Sequence, residues 1–205
     1  MSLGGLDASG CNLAGVVLEH VDLDGCRLDR ADLHQAVFAG CTLVGTSLDE
    51  ARLEEARFHE CRLDQATLKR ARLAKASFSA CSINRADFRE ADLKDSVFSQ
   101  GVVQDCTFSG ANIDFTAFVD VHLVRPDFSA TRLHRPVLLK ADLTGADLTG
   151  ASFYLAVLHE TRLAGMDLEG LDFRLSQFMN ADLSGARLTG ANLTQCNFQG
   201  ADLGG

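Results

Sequence analysis

The chain has 205 residues, 46% of them hydrophobic, with 28 acidic against 19 basic residues and a net charge of −9. That balance disfavours nonspecific binding of nucleic acid or anionic membrane, and no apolar run approaches the roughly 18 residues of a membrane span. Signal-peptide and myristoylation features are lacking at Met1, and seven cysteines, an odd number, do not make a disulfide scaffold. A cytoplasmic protein with reduced thiols is expected, with secretion by a signal-peptide-independent route as the alternative.

One register begins at Leu3 and runs through Leu203. Every fifth residue is apolar, and these 41 central positions hold 25 Leu, 12 Phe, two Ile, one Val and one Ala. Two residues before each lies a second restricted position that holds 18 Ala and all seven Cys. Apolar spacing therefore alternates two, three, two, three. A helix cannot use this, because residues two apart lie about 200° around its axis. A straight strand fails as well, since an odd repeat sends successive central residues to opposite faces. The pattern suits a chain in which two extended residues point inward and the next three turn a corner.

The first coils, through Gly45, carry glycine at most corners, on the second residue after the central one, where a type II turn needs positive φ. Between 50 and 140 only Gly110 keeps that place, with Glu50, Arg70, Lys75 and Glu90 among the replacements. These middle coils are expected to use turn types that tolerate side chains. The middle also sets the number of sides. Phe38, Phe58, Phe78, Phe98 and Phe118 recur every 20 residues, and Phe178 and Phe198 resume the column. Four pentapeptides per turn place these rings on successive coils, whereas three sides would scatter them. From Gly145 the corner glycines return and the register continues to the end. The fold class expected is all-β: a single solenoid domain over residues 1–205, four-sided, with about ten coils and no linker.

Ala31-Asp32-Leu33, Ala91-Asp92-Leu93, Ala141-Asp142-Leu143, Ala181-Asp182-Leu183, Ala191-Asn192-Leu193 and Ala201-Asp202-Leu203 resemble the Ala-(Asp/Asn)-Leu-X-X motif of the pentapeptide-repeat family. The resemblance covers the whole chain. It implies a right-handed quadrilateral β-helix, in agreement with the four sides read from phenylalanine. Roles it implies include protection of bacterial topoisomerases by resembling DNA, and service as a module of secreted or secretion-associated proteins. Two departures weaken transfer of the topoisomerase role. There is no out-of-register insertion to make a projecting loop, and the register reaches Gly205 without a helical dimerisation segment.

Candidate sites are few. Cys41, Cys61 and Cys81 share a column, but every cysteine occupies a position otherwise held by small residues, so buried, unreactive thiols are expected. The six histidines form no cluster and read as solvated, and no metal or cofactor is expected. Arg30, Glu50, Arg70 and Glu90 alternate up one corner, and Glu55, Lys75 and Asp95 up another, as exposed cross-coil pairs. With no pocket to shift a catalytic pKa and no nucleophile or phosphate motif, an enzyme is not expected.

Two surface features stand out. Asp127, Asp147 and Asp167 with Glu169 form an acidic stripe, the feature that supports a DNA mimic binding or protecting a type II topoisomerase such as gyrase. On the phenylalanine wall, Val97, Ala117, Val119, Val137, Leu139, Val157 and Met179 face outward, beside Phe115, Tyr154, Leu155 and Leu175 on the adjoining corner. A contiguous apolar patch of this kind marks an interaction site. The reading is a non-enzymatic protein-interaction scaffold with a protein partner or a second copy of itself on this face, without direct nucleic-acid binding or membrane insertion. A topoisomerase-protecting DNA mimic and a secretion-associated module are the alternatives.

Overall fold

A computed structural model describes all 205 residues. Parallel bridges join residues numbered with a final 2 or 7 to those 20 further on, from Ser2–Asp22 to Asp182–Asp202, which makes each turn a coil of four pentapeptide sides. Ten three-residue segments are regular strands: β1 (Val17–Glu19), β2 (Val37–Ala39), β3 (Arg57–His59), β4 (Ser77–Ser79), β5 (Ser82–Asn84), β6 (Val97–Ser99), β7 (Val102–Gln104), β8 (Ala117–Val119), β9 (His122–Val124) and β10 (Val137–Leu139). One parallel sheet runs β1-β2-β3-β4-β6-β8-β10 and a second runs β5-β7-β9. Regular strand structure thus spans seven coils of the main wall, fewer than the ten or so expected. Elsewhere each side has only its short extended step, so the ladder there consists of single bridges.

The main sheet is the phenylalanine wall. Phe38, Phe58, Phe78, Phe98 and Phe118 point inward and stack with centroids 4.7, 4.8, 4.6 and 4.9 Å apart, close to the ~4.8 Å between strands. Phe88, Phe108 and Phe128 stack on the opposite wall. The two columns meet edge to face across the interior, as in Phe78–Phe88 at 6.2 Å and 89°, the arrangement that the ring quadrupole favours. The small positions fill the remaining space. Where they are polar, all but Ser96, whose buried hydroxyl has no partner, donate to the central carbonyl of the preceding coil, as Thr46 does to Leu23, Thr116 to Leu93, Thr161 to Leu138 and Ser176 to Phe153. Cys26, Cys61 and Cys106 do the same with their thiols. Such a partner satisfies a buried hydroxyl. The slot therefore accepts Ala, Cys, Ser and Thr.

The corners differ from expectation. All 41 positions numbered with a final 5 or 0 have positive φ, 26 of them without glycine, and Arg70, Lys75 and Glu90 sit at 55°, 61° and 59°. The middle coils do not escape the left-handed region. A corner that took another path would pull its side away from the coils before and after it, and the stacked ladder overrides the local cost of a side chain there. Hydrogen bonding across the corner is what varies. Most corners close with a bond such as Cys26 N–H to the Leu23 carbonyl, while those after Phe38, Phe58 and Phe78 lack it. Pro126 and Pro136 follow two such open corners, where no N–H is required.

Two rungs of the ladder are missing, His122–Asp142 and Asp147–Asp167, and both border residues 141–150. At the second, the N–H groups of Leu148, Gly150 and Asp167 and the carbonyls of Ala146, Asp167 and Glu169 make no backbone hydrogen bond. Met166 stands at this opening. It occupies a small slot whose neighbours in the column are Ala146 and Ala186, it is only 8% exposed, and its sulfur lies 3.3 Å from the Gly145 nitrogen, taking the N–H that the ladder would give to Ala164. Nothing in the unbroken register foretells this opening.

Phe78→Ala, at the middle of the longest stack, should lower the unfolding free energy by about 3–5 kcal/mol in a denaturant titration. Gln65→Gly, at an exposed corner with φ of 60°, should raise it by about 0.5 kcal/mol, because release from the left-handed penalty exceeds the added chain entropy.

Candidate protein-interaction site

The ladder brings the outward residues of the phenylalanine wall into rows. Ala117 pairs with Val97 on one side and Val137 on the other, Val137 bridges Val157, and Val119 pairs with Leu139. Val97 is 39% exposed, and Ala117, Val119, Val137, Leu139, Val157 and Met179 are half-buried. His159 stands between Leu139 and Met179 in the column and, with Lys140, interrupts the row.

The adjoining corner is an aromatic ladder. Phe115, 39% exposed at φ 60°, packs on His134 with centroids 5.7 Å apart, and His134 packs on Tyr154 at 5.3 Å. The Arg135 guanidinium lies 5.5 Å from the Phe115 ring and that of Arg174 lies 5.6 Å from Tyr154. Leu155 and Leu175 are half-buried beside them. Reading all six histidines as solvated misses the half-buried His34, His159 and His134, of which His134 is held between two rings with Nδ1 3.9 Å from an Asp114 carboxylate oxygen. The signal for it is the 20-residue column Asp114, His134, Tyr154, Arg174.

The acidic stripe lies on the opposite wall. Asp127 and Asp147 are bridged, but the missing rung separates Asp147 from Asp167. These carboxylates serve their own corners: Asp127 accepts from the Ser129 N–H at 2.9 Å and the Thr107 hydroxyl at 2.8 Å, and Asp147 accepts from the Thr149 N–H at 2.9 Å. Arg187 holds Asp167 at 3.2 Å and Glu169 at 2.6 Å. Burial pushes the Asp127 carboxyl up, but the Ser129 and Thr107 hydrogen bonds outweigh it and hold the group below the usual range.

Among the alternating corner charges only Arg70–Glu90 closes, at 2.9 Å, and Glu55 instead accepts from the Gln35 amide at 2.9 Å. Exposed pairs gain at most about 1 kcal/mol, too little to draw the other side chains together. Cys41, Cys61 and Cys81 are buried as expected, whereas Cys11 is exposed and Cys196 half-buried, since the terminal coils are covered on one side only. Burial pushes the Cys41 and Cys106 thiols up, Cys106 to about 12. No three His, Cys, Asp or Glu side chains converge on a common point, and no helix is long and apolar enough to cross a membrane.

A coil of stacked pentapeptides with a Leu and Phe interior is the fold of one class of proteins, and the family comparison agrees. The model described as Pentapeptide repeat region matches residues 31–104, and Pentapeptide repeats (8 copies) matches 2–35, 86–123 and overlapping stretches from 127 to 205. The chain belongs to the pentapeptide-repeat family. Among solved structures it is similar to HetL, a pentapeptide repeat protein involved in heterocyst differentiation regulation from the cyanobacterium Nostoc sp. strain PCC 7120. The identity is 24%, coverage is 98% of this chain and 88% of HetL, and the TM-score is 0.69. It is also similar to trypsin-treated QnrB1, a plasmid-mediated fluoroquinolone resistance protein, at 21% identity, 91% and 90% coverage and a TM-score of 0.67. Full-length QnrB1 matches at 19% identity, 96% and 93% coverage and a TM-score of 0.55. No curated protein matches the chain. At these identities the likeness speaks for the fold.

Several carboxyls sit below their ordinary range. The Ser2 and Ser184 hydroxyls hold Asp22 and Asp182 low, and the Arg174 guanidinium does so for Asp172. A carboxyl whose folded pKa lies below its unfolded value contributes stability above the unfolded pKa, near 4, and loses it as pH falls through the folded value. The thermal midpoint should therefore fall progressively below about pH 4, and Asp127→Asn should flatten that fall in scans at pH 5, 4 and 3.

Proposed function

We propose that this protein is a non-enzymatic interaction scaffold that binds a protein, either a different one or a second copy of itself, through the wall and corner from Val97 to Met179. The observation that carries the reading is the aromatic corner continuous with an apolar wall. Phe115 is the only one of 13 phenylalanines outside the central positions, and it occupies a left-handed corner, an unfavourable place for a bulky side chain. Aromatic side chains and arginine dominate the energetic centres of protein interfaces. Here they stand together on a rod whose interior is filled and offers no chamber for substrate. The test is the triple variant Phe115→Ser, Leu155→Ser and Leu175→Ser. Its circular dichroism should match that of the parent, while its solution mass in sedimentation, or its capture of the native-cell partner, should drop. If both are unchanged, the interface lies elsewhere.

A second reading, a DNA mimic acting on gyrase, draws on Asp127, Asp147 and Asp167 occupying one column. It is the weaker, because Arg187 neutralises one end and the missing rung divides the column. In a supercoiling assay with and without a quinolone, micromolar protein should neither inhibit gyrase nor protect it. Either effect would replace the first reading by the second. A secretion-associated module would use the same wall against a secretion component, and fractionation of the native cell separates this from the cytoplasmic location proposed here.

A further inference from the structure

The opening beside Met166 has the form of a site. A groove of about 600 Å³ runs along one side of the coil between residues 144–150 and 164–171. Its two walls are strand edges. The 141–150 edge is held extended by its other neighbour, through the Asp127–Asp147 bridge and the Asp147 N–H to Pro126 carbonyl bond. The 161–170 edge is held likewise, through the Asp167–Arg187 bridge and the Leu168 N–H to Arg187 carbonyl bond. Each edge turns unused backbone groups into the groove: the Leu148 and Gly150 N–H groups with the Ala146 carbonyl on one wall, the Asp167 N–H with the Asp167 and Glu169 carbonyls on the other. Unpaired donors and acceptors at strand spacing are a template for another strand.

We propose that this groove binds a short extended peptide segment bearing basic side chains, which enters as a strand between the two coils. A peptide backbone is the ligand that satisfies donors and acceptors on both walls at once. Gly145, Gly150, Gly165 and Ala164 leave the wall backbones accessible, and glycine corners let the coils part as the strand enters. Side chains of a strand alternate between faces. On the inner face the groove offers Leu148, Met166 and Leu171, and on its outer rim Asp147, which makes no ion pair, with Asp167 and Glu169, which Arg187 pairs from the next coil and which an incoming lysine or arginine would share. The sequence it selects alternates apolar with lysine or arginine. This site lies on the wall opposite the aromatic corner and is independent of it.

The test uses the full chain and a fluorescein-labelled, acetylated hexapeptide alternating valine with lysine, followed by anisotropy at 150 mM salt and by amide hydrogen exchange. The lysine peptide should saturate. Peptides with glutamate for lysine, or with alternate amides N-methylated, should bind at least tenfold more weakly. Leu148, Gly150 and Asp167 amides should exchange fast in the free protein and at least tenfold more slowly in the complex. Met166→Ala should close the groove, slowing these amides without peptide and abolishing binding. Should that variant not fold, Asp147→Lys with Glu169→Lys supplies the readout, weakening the lysine peptide at least tenfold and strengthening the glutamate peptide. The proposal is overturned by any of four results: no saturation, equal binding of the N-methylated peptide, a complex that leaves the three amides unprotected, or amides already protected in the free protein. The triple serine variant at the aromatic corner should bind the peptide unchanged.

Discussion

Each coil completes its backbone hydrogen bonding with the coil 20 residues away, and that in-register stacking governs everything else. A side of five residues makes few bonds within itself, so its conformation is set by the sides before and after it in the column. This is why 26 corners without glycine adopt positive φ together with the 15 glycine corners. A residue such as Lys75 would leave that region if its local preference decided. The ladder holds it there, because one divergent corner would strand the donors and acceptors of two neighbouring coils.

The interior follows from the same repeat. Successive central residues in a column are one strand spacing apart, so an aromatic in one coil favours an aromatic in the next. The two phenylalanine columns interlock edge to face only where they run side by side, from Phe78 to Phe128. This is also where corner glycines are scarcest, so the most tightly filled interior coincides with the corners that carry a left-handed side chain. Two of the small positions that depart from Ala, Cys, Ser and Thr do so in opposite senses. Gly101 is smaller than its slot norm because an added Cβ would collide with the Cys81 backbone, and Met166 is larger and borders the open rung.

Because the interior is filled by the repeat, chemical individuality is confined to outward positions, corners and faults. The outer wall from Val97 to Met179 departs from polar composition, the corner at Phe115 departs from small or polar side chains, and the seam at Met166 departs from continuous pairing. They lie on opposite sides of the rod, and each is built by residues from at least two coils. Surfaces on this coil are assembled by columns, so the unit from which a site is built is the 20-residue column and not the local motif.

The sequence by itself determined the solenoid, its four sides, the inward residues and the columns in which Val137 neighbours Ala117 and Tyr154 lies beyond His134. It could do so because an uninterrupted five-residue period admits one stacking, and stacking turns sequence distance into spatial distance. Tertiary structure alone decided three things. It decided the corner conformations, where cooperative stacking overrides the preferences of residues such as Glu90. It decided which charges meet, since Arg70 reaches Glu90 while Lys75 and Asp95 make no ion pair, an outcome of side-chain direction that a column cannot encode. It also decided the seam, because the ladder opens where the Met166 thioether takes the Gly145 N–H, while the five-residue period runs through unbroken.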